Sequence, residues 1–312
     1  MGNTGDISAA IKKKAYTLGF DLCGIARYRR LSEYEGPFTQ WCRAGMNDSM
    51  NYLSGSIARR IDPALFFPGV RSIVVTGMSY FTADIQTGMD VPIISRYALG
   101  TDYHHVITGK LESLLSFIRT IIPGVHGRTS CDSSPVLEKP WAVEAGLGWQ
   151  GKNSLVINET KGSFFFIGIL MLDIDLEYDE PVREDRCGSC EECINRCPTG
   201  AINTNRTIDA RKCIANLTIE NRNPIDHGVA PLFERRVYGC DICQEVCPWN
   251  KNIPYHNHPE LNASPEILSM TRQEWLSLDR EKFLKLFGKT PVARVGFERF
   301  KKNVEIILQY SA

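Results

Sequence analysis

The sequence predicts a mixed α/β sheet domain, then a compact cysteine-rich domain and a helical tail. Three observations carry this. Strand-like and helix-like stretches alternate as far as residue 172, as in a sheet covered by helices. A run of four closely spaced cysteines follows, with a second, altered run after it. Between sheet and cysteines, residues 173–186 hold seven acidic and two basic side chains with Pro181 inside, which reads as a solvated linker. The expected units are 1–172, the linker 173–186, 187–252 and 253–312.

Each element has its own signal. Residues 6–19 place Ile7, Ala10, Ile11, Ala15 and Leu18 on one helical face, and Gly19 suits the C-cap. Asp21 to Ala26 reads as a short strand. Ser72 to Tyr80 is a β-rich strand after the Pro68-Gly69 turn. Residues 103–121 form an amphipathic helix stopped by Pro123-Gly124. Val136 to Ala145 has a helical pattern in spite of Pro140. Gly146 to Gly151 is a glycine-rich turn, and Ser154 to Ile157 and Ser163 to Leu172 are strands. The tail has prolines at 254, 259 and 265, then helical stretches.

Composition narrows the function. The 312 residues are enough for more than one domain, and 43% hydrophobic with 23% charged is ordinary for a globular chain. Lys plus Arg equals Asp plus Glu at 36 each, so no global field advertises nucleic acid or membrane, and any such partner must meet a local patch. Met1 to Ala10 is polar and small, unlike a signal peptide. The longest apolar run, Phe164 to Leu172, is nine residues, far short of a bilayer span. The expectation is a cytoplasmic protein with no membrane partner.

The cysteines are the most specific feature. Cys187, Cys190, Cys193 and Cys197-Pro198 follow the spacing of a bacterial ferredoxin run, whose fourth cysteine serves the other of two [4Fe–4S] clusters. The second run, Cys240, Cys243 and Cys247-Pro248, has Val237 where its first cysteine belongs. Cys213, between the runs, can supply the missing thiolate. The expected sets are Cys187, Cys190, Cys193 and Cys247 for one cluster, and Cys197, Cys213, Cys240 and Cys243 for the other. Structural zinc also takes Cys-x-x-Cys pairs, but it does not call for three evenly spaced cysteines and a Cys-Pro. Disulfides fit poorly with such close spacing and no secretory signal. Two cubanes form a short path for single electrons, and the preceding residues, about 170 of them, should hold a second cofactor or a substrate.

Four stretches of the first half resemble the epoxyqueuosine reductase family: Arg60-Ile-Asp-Pro with Pro68-Gly-Val-Arg-Ser-Ile, Arg96-Tyr-Ala-Leu-Gly-Thr-Asp-Tyr-His104, Asp132-Ser-Ser-Pro-Val-Leu-Glu138-Lys, and Ala145-Gly-Leu-Gly-Trp-Gln-Gly-Lys152-Asn153. The cysteine pattern, lone Cys213 included, is also similar, and the likeness spans about residues 10–250. It implies an α+β or α/β fold with a nitroreductase-like, cobalamin-binding domain followed by the ferredoxin-like domain. It implies reduction of epoxyqueuosine to queuosine in the anticodon loop of tRNA, with cobalamin and two [4Fe–4S] clusters. An external low-potential electron donor would feed a monomeric enzyme.

The resemblance also assigns residues. Asp132 matches the proton donor; by itself, Asp-Ser-Ser-Pro is simply a good turn. Arg60, Arg96, Tyr97, Lys152 and Asn153 match cofactor-binding positions, and Tyr103 and His104 are expected in the same cavity. The other histidines, and Cys23, Cys42 and Cys131, receive no role. For RNA, the basic tail residues Lys282, Lys285, Lys289, Arg294, Arg299, Lys301 and Lys302 are one phosphate-binding candidate, and residues 212–222 are another. Many family members continue into a helical-repeat module that would add tRNA contacts. A reductive dehalogenase is the nearest rival reading, and Arg29-Arg30 lacks the apolar segment of an export signal. A ferredoxin-type electron carrier or corrinoid reactivation protein is the second; it would need neither proton donor nor RNA surface.

Overall fold

The computed structural model describes residues 4–310. Its strands are β1 (Leu22–Arg27), β2 (Ser72–Ser79), β3 (Ile93–Ile94), β4 (Gly127–Ser130), β5 (Trp149–Gln150), β6 (Val156–Ile157), β7 (Phe165–Leu172) and β8 (Arg236–Tyr238). The main sheet has the order β1-β2-β7-β4, with every neighbouring pair antiparallel. Alternation along the chain suits either strand direction; the long apolar strands β2 and β7 settle it by pairing from Ser72↔Leu172 to Ser79↔Phe165. The domain is therefore of the α+β kind.

Both faces of this sheet are covered, which explains why all eight residues of β2 are buried. Successive side chains on a strand point to opposite faces. Val74, Met78, Phe166 and Leu170 meet the helices Thr4–Thr17 and Tyr103–Ile121. Ile73, Val75, Phe165, Ile169 and Met171 meet Leu31 and the helix Glu138–Glu144 through Trp141 and Ala142. Gly24 is required where β1 crosses that helix's end, since a Cβ there would lie 1.9 Å from the Ala145 carbonyl oxygen. The helix Tyr103–Ile121 starts at Asp102, whose carboxylate accepts from the His104 amide at 3.0 Å.

The expected linker keeps most of its charges in water but is docked by its apolar residues. Leu176 is buried, and Ile174 and Tyr178 pack on the same core. Asp179 accepts the Ile25 amide at 2.8 Å and pairs with Lys12. The acidic surplus conceals an apolar residue at every second position, which docks this stretch along the sheet edge.

The tail is helical as expected, but it is not a separate unit. Trp275, Phe283, Phe287, Phe300, Val304 and Ile307 share one core with Phe233, Val237 and Tyr238 of the cysteine-rich region, and with Val91, Ile94 and Leu99 from the first half. β3 pairs in parallel with β8, so an excursion of the sheet domain completes the second core. Gly100 lets the tail close in, since a Cβ would sit 2.4 Å from the Leu261 carbonyl oxygen. Val237, the residue in place of the missing cysteine, is fully buried there.

Buried polar contacts join the two cores. Asp241 accepts from the Ser95 hydroxyl and, at 2.9 Å, from the Arg96 amide. Gln244 donates to the Ser163 carbonyl at 3.0 Å, and the Asn250 side chain both accepts from the Ser163 amide and donates to its hydroxyl. Among the described residues, no helix is long and apolar enough to cross a membrane.

Candidate active site

Strand β4 delivers Asp132 to the end of the sheet. Cys131 is buried immediately after it, whereas Asp132 is exposed and takes a left-handed backbone at φ 57°. Asparagine and aspartate tolerate this conformation better than most residues. The Asp132 Oδ2 accepts from the Tyr103 hydroxyl at 2.6 Å, and its amide donates to Glu138 Oε1 at 2.7 Å. The Ser130 hydroxyl donates to the same Glu138 oxygen at 3.3 Å. The sequence quotes Glu138 only as part of a motif, yet here it is the turn's main acceptor. Burial, and then the charge of Asp132, push its carboxyl up to about 8.

The side chains around this turn, exposed on one side at Asp132 and Ser133, mark out the candidate cleft. Arg60 faces Glu138 and Asp132, and burial lowers its basicity. The Arg60 guanidinium lies over the Tyr52 ring, 5.9 Å from its centroid. Tyr97 packs edge-on against Tyr103 at 6.1 Å and reaches both cores. Tyr103 stacks on Phe166 at 4.1 Å, and burial raises its hydroxyl pKa. His104 stacks on the other side of Tyr103 and bonds Asp102. Lys139, adjacent to Glu138, is an exposed residue whose charge feels Asp132 and the thiols of Cys243 and Cys213.

The cysteines fall into the two expected neighbourhoods. Cys187, Cys190, Cys193 and Cys247 line a cavity of ≈ 240 Å³ with Lys152, Asn153, Pro248 and Trp249. Burial pushes the Cys193 thiol up to about 11, and the thiols it faces are Cys247, Cys187 and Cys190. In the second neighbourhood, burial pushes Cys240 up to about 12, and Cys213 faces both Cys240 and Cys197. Cys243 faces Cys240 and Cys213, and then Cys193 of the first set. Buried thiols crowded in this way gain most from a cationic iron centre that takes them as thiolates. Among the described residues, no group of three or more His, Cys, Asp or Glu side chains is arranged to hold a single metal ion.

The remaining expected residues disperse. Arg96 is engaged by Asp241 at 3.3 Å and Glu245 at 2.7 Å, joining the sheet domain to the cysteine-rich region. Lys152 lies 4.0 Å from Glu191, and Asn153 donates to the Cys243 carbonyl at 3.5 Å, so both belong to the surroundings of the cysteines. Within the basic tail, Lys282, Lys285, Arg294 and Lys301 pair with Glu274, Glu266, Glu220 and Glu305, and Arg299 donates to the Leu217 carbonyl. Of the second RNA candidate, residues 212–222, Lys212, Leu217 and Asn221 line a cavity of ≈ 390 Å³ with Thr199 and Arg211, and Arg211 pairs with Asp209 at 2.8 Å. Buried His258, which carries no expectation, bonds half-buried Asp21 at 2.8 Å and stacks on His256.

Two neighbourhoods of four thiols each are the arrangement of a protein that binds two iron–sulfur clusters. A family model for a 4Fe-4S double cluster binding domain matches residues 186–250, and one described as "Epoxyqueuosine reductase QueG, DUF1730" matches 60–133. An epoxyqueuosine reductase of Cellulophaga algicola is 40% identical over 300 residues, covering 96% of this chain and 97% of that one. A crystal structure of epoxyqueuosine reductase with an epoxyqueuosine-modified tRNA-Tyr stem loop superposes with a TM-score of 0.88 at 28% identity, covering 99% of this chain and 82% of the other. The Bacillus subtilis enzyme, solved with its catalytic loop swung out of the active site, gives 0.87 at 27%, with 99% and 82% covered. The chain belongs to the epoxyqueuosine reductase family. A reductive dehalogenase matches with a TM-score of 0.52 at 16% identity, covering 99% of this chain and 36% of that one; that likeness is one of fold alone.

Proposed function

We propose that Asp132 is the proton donor of the family's reaction and that the two thiol sets feed electrons toward its cleft. The reaction is the reduction of epoxyqueuosine to queuosine. Two electrons and two protons enter, both epoxide C–O bonds break, a C=C bond forms, and the oxygen leaves as water. The family works with cobalamin and two [4Fe–4S] clusters.

The observation that carries the reading is the Asp132 turn, with its carboxyl on Tyr103 at 2.6 Å and with Lys139 close enough to feel both Asp132 and the thiols of Cys243 and Cys213. Burial pushes Glu138 up to about 8, so Glu138 holds a proton at neutral pH beside Asp132. Such a pair can protonate the oxygen of an opening epoxide, which would otherwise leave as a high-energy alkoxide. Tyr103 fixes the direction of the Asp132 carboxyl. Cobalamin, when bound, supplies the two-electron chemistry. Exposed Lys139 and Asp132, with Arg60 and Tyr97 near them, are the residues that would hold it, and the influence of Cys213 and Cys243 on Lys139 supports a site beside the second thiol set.

Electrons enter at Cys187, Cys190, Cys193 and Cys247, whose cavity opens to solvent, and leave through the set that includes Cys243. The electron donor is an external low-potential carrier, and the enzyme acts as a cytoplasmic monomer. The partner is tRNA carrying epoxyqueuosine, with Arg211, Lys212 and neighbouring asparagines as the phosphate-contacting patch. The test is single-turnover reduction of epoxyqueuosine-bearing stem-loop RNA by reconstituted Asp132→Asn, with mass analysis of the nucleoside. Retained cofactors with a sharply lower rate support the assignment, and an unimpaired rate removes it.

A further inference from the structure

We propose that Glu138 is the positioning residue for Asp132, holding the turn from residue 131 to 137 so that the Asp132 carboxyl faces the cleft. The proposal rests on the role given above to Asp132, and it concerns how that residue is held.

Glu138 stands on a fixed element. The helix Glu138–Glu144 is anchored by Trp141 and Ala142, both fully buried against the sheet. The turn itself has little else to hold it. Asp132, Ser133 and Ser134 are exposed or half-exposed, and only Cys131 and Val136 are buried at its ends. Its backbone includes the left-handed Asp132 at φ 57°, a conformation that a non-glycine residue keeps only where the surroundings enforce it. One carboxylate oxygen of Glu138 supplies that enforcement. It accepts the Asp132 amide at 2.7 Å and the Ser130 hydroxyl at 3.3 Å, bracketing Cys131 from both sides. Once the amide is held, the Asp132 side chain reaches the Tyr103 hydroxyl. The charged groups facing Glu138 are Asp132, Lys139 and Arg60, with the Cys131 thiol also near.

The role separates variants by geometry. Glutamine keeps an acceptor oxygen at the same reach; alanine removes it. In the full-length protein, Glu138→Ala should speed amide hydrogen exchange of the segment 130–137 at least tenfold, while Glu138→Gln stays within about threefold of wild type. Strand β7 should exchange unchanged in both, which separates a released turn from a loosened fold. Glu138→Ala should also lower the single-turnover rate at least tenfold at unchanged affinity for the stem-loop RNA, and should cost nothing further when added to Asp132→Asn. If Glu138→Ala does not accumulate, Glu138→Asp carries the same prediction, because it draws the carboxylate back by one methylene. Wild-type exchange in the shortened or truncated variant overturns the proposal, as does a lost rate with exchange unchanged. Full activity of Asp132→Asn would instead sink the acid assignment and leave the exchange result standing.

Discussion

The two thiol sets use one ligand chemistry in two unlike settings. Cys187, Cys190, Cys193 and Cys247 border an open cavity with Trp249 and Lys152, beside acidic Glu191 and Glu192 at the surface. Cys197, Cys213, Cys240 and Cys243 lie against the sheet domain, where the charge of Lys139 feels Cys213 and Cys243 as well as Asp132. A set that opens to solvent suits electron uptake, and a set against the cleft suits delivery. Cys193 is near enough to Cys243 to act on it electrostatically, as the proposed path from one set to the other requires. The difference is made by the neighbours and not by the ligands, since second-shell groups and burial set the properties of such centres.

The largest effect should come from separating the sets. Cys213→Ser should remove about half of the iron, leave the cluster signal of the open set and abolish turnover, because the sets act in series. Loss of the open set's signal instead would mean that Cys213 was assigned to the wrong partner. Asp132→Asn should preserve iron content and lower the single-turnover rate by about 10²–10⁴-fold, the usual worth of a general acid. Equal rates would leave the cleft with electrons and no acid.

The interface that fixes the delivery set can be broken more gently. Arg96→Leu leaves Asp241 buried without its guanidinium, which should cost about 3 kcal/mol in chemical denaturation. An unchanged midpoint would show that Ser95 and the Arg96 amide suffice. The pH response sharpens the cleft side. Glu138 holds its proton in the folded state up to about 8 but releases it near 4.5 when unfolded, so the native state binds more protons between these values. Its contribution to stability therefore falls as pH rises through that window and levels off above it. The melting temperature of wild type relative to Glu138→Gln, followed from pH 5 to 9, should decline accordingly. The smallest effect should be in RNA binding. Reversing Lys282 and Lys285 together, both already paired, should change stem-loop affinity less than threefold, whereas Lys212→Glu should weaken it more and flatten its salt dependence.

Much of this was legible in the chain because it rests on short-range chemistry. The strands around Ser72–Ser79 and Phe165–Leu172 and the turn at Asp132 are local patterns and recur in the structure at the expected places, and the cysteine spacing is likewise a local pattern. Long-range pairing was not legible. Residues 173–186 looked like a solvated linker because charge is counted along the chain, whereas the docking of Leu176 depends on a sheet edge formed elsewhere. Arg96 looked like a cofactor contact, and its partner Asp241 lies 145 residues away. The basic tail looked like an RNA patch until Glu220, Glu266 and Glu274 were brought against it. The sequence alone determined which residues could bind iron, turn the chain and give a proton. Only the tertiary structure decided which charges remain free and which carboxyl holds Asp132, because burial and pairing arise when distant segments meet and water is excluded.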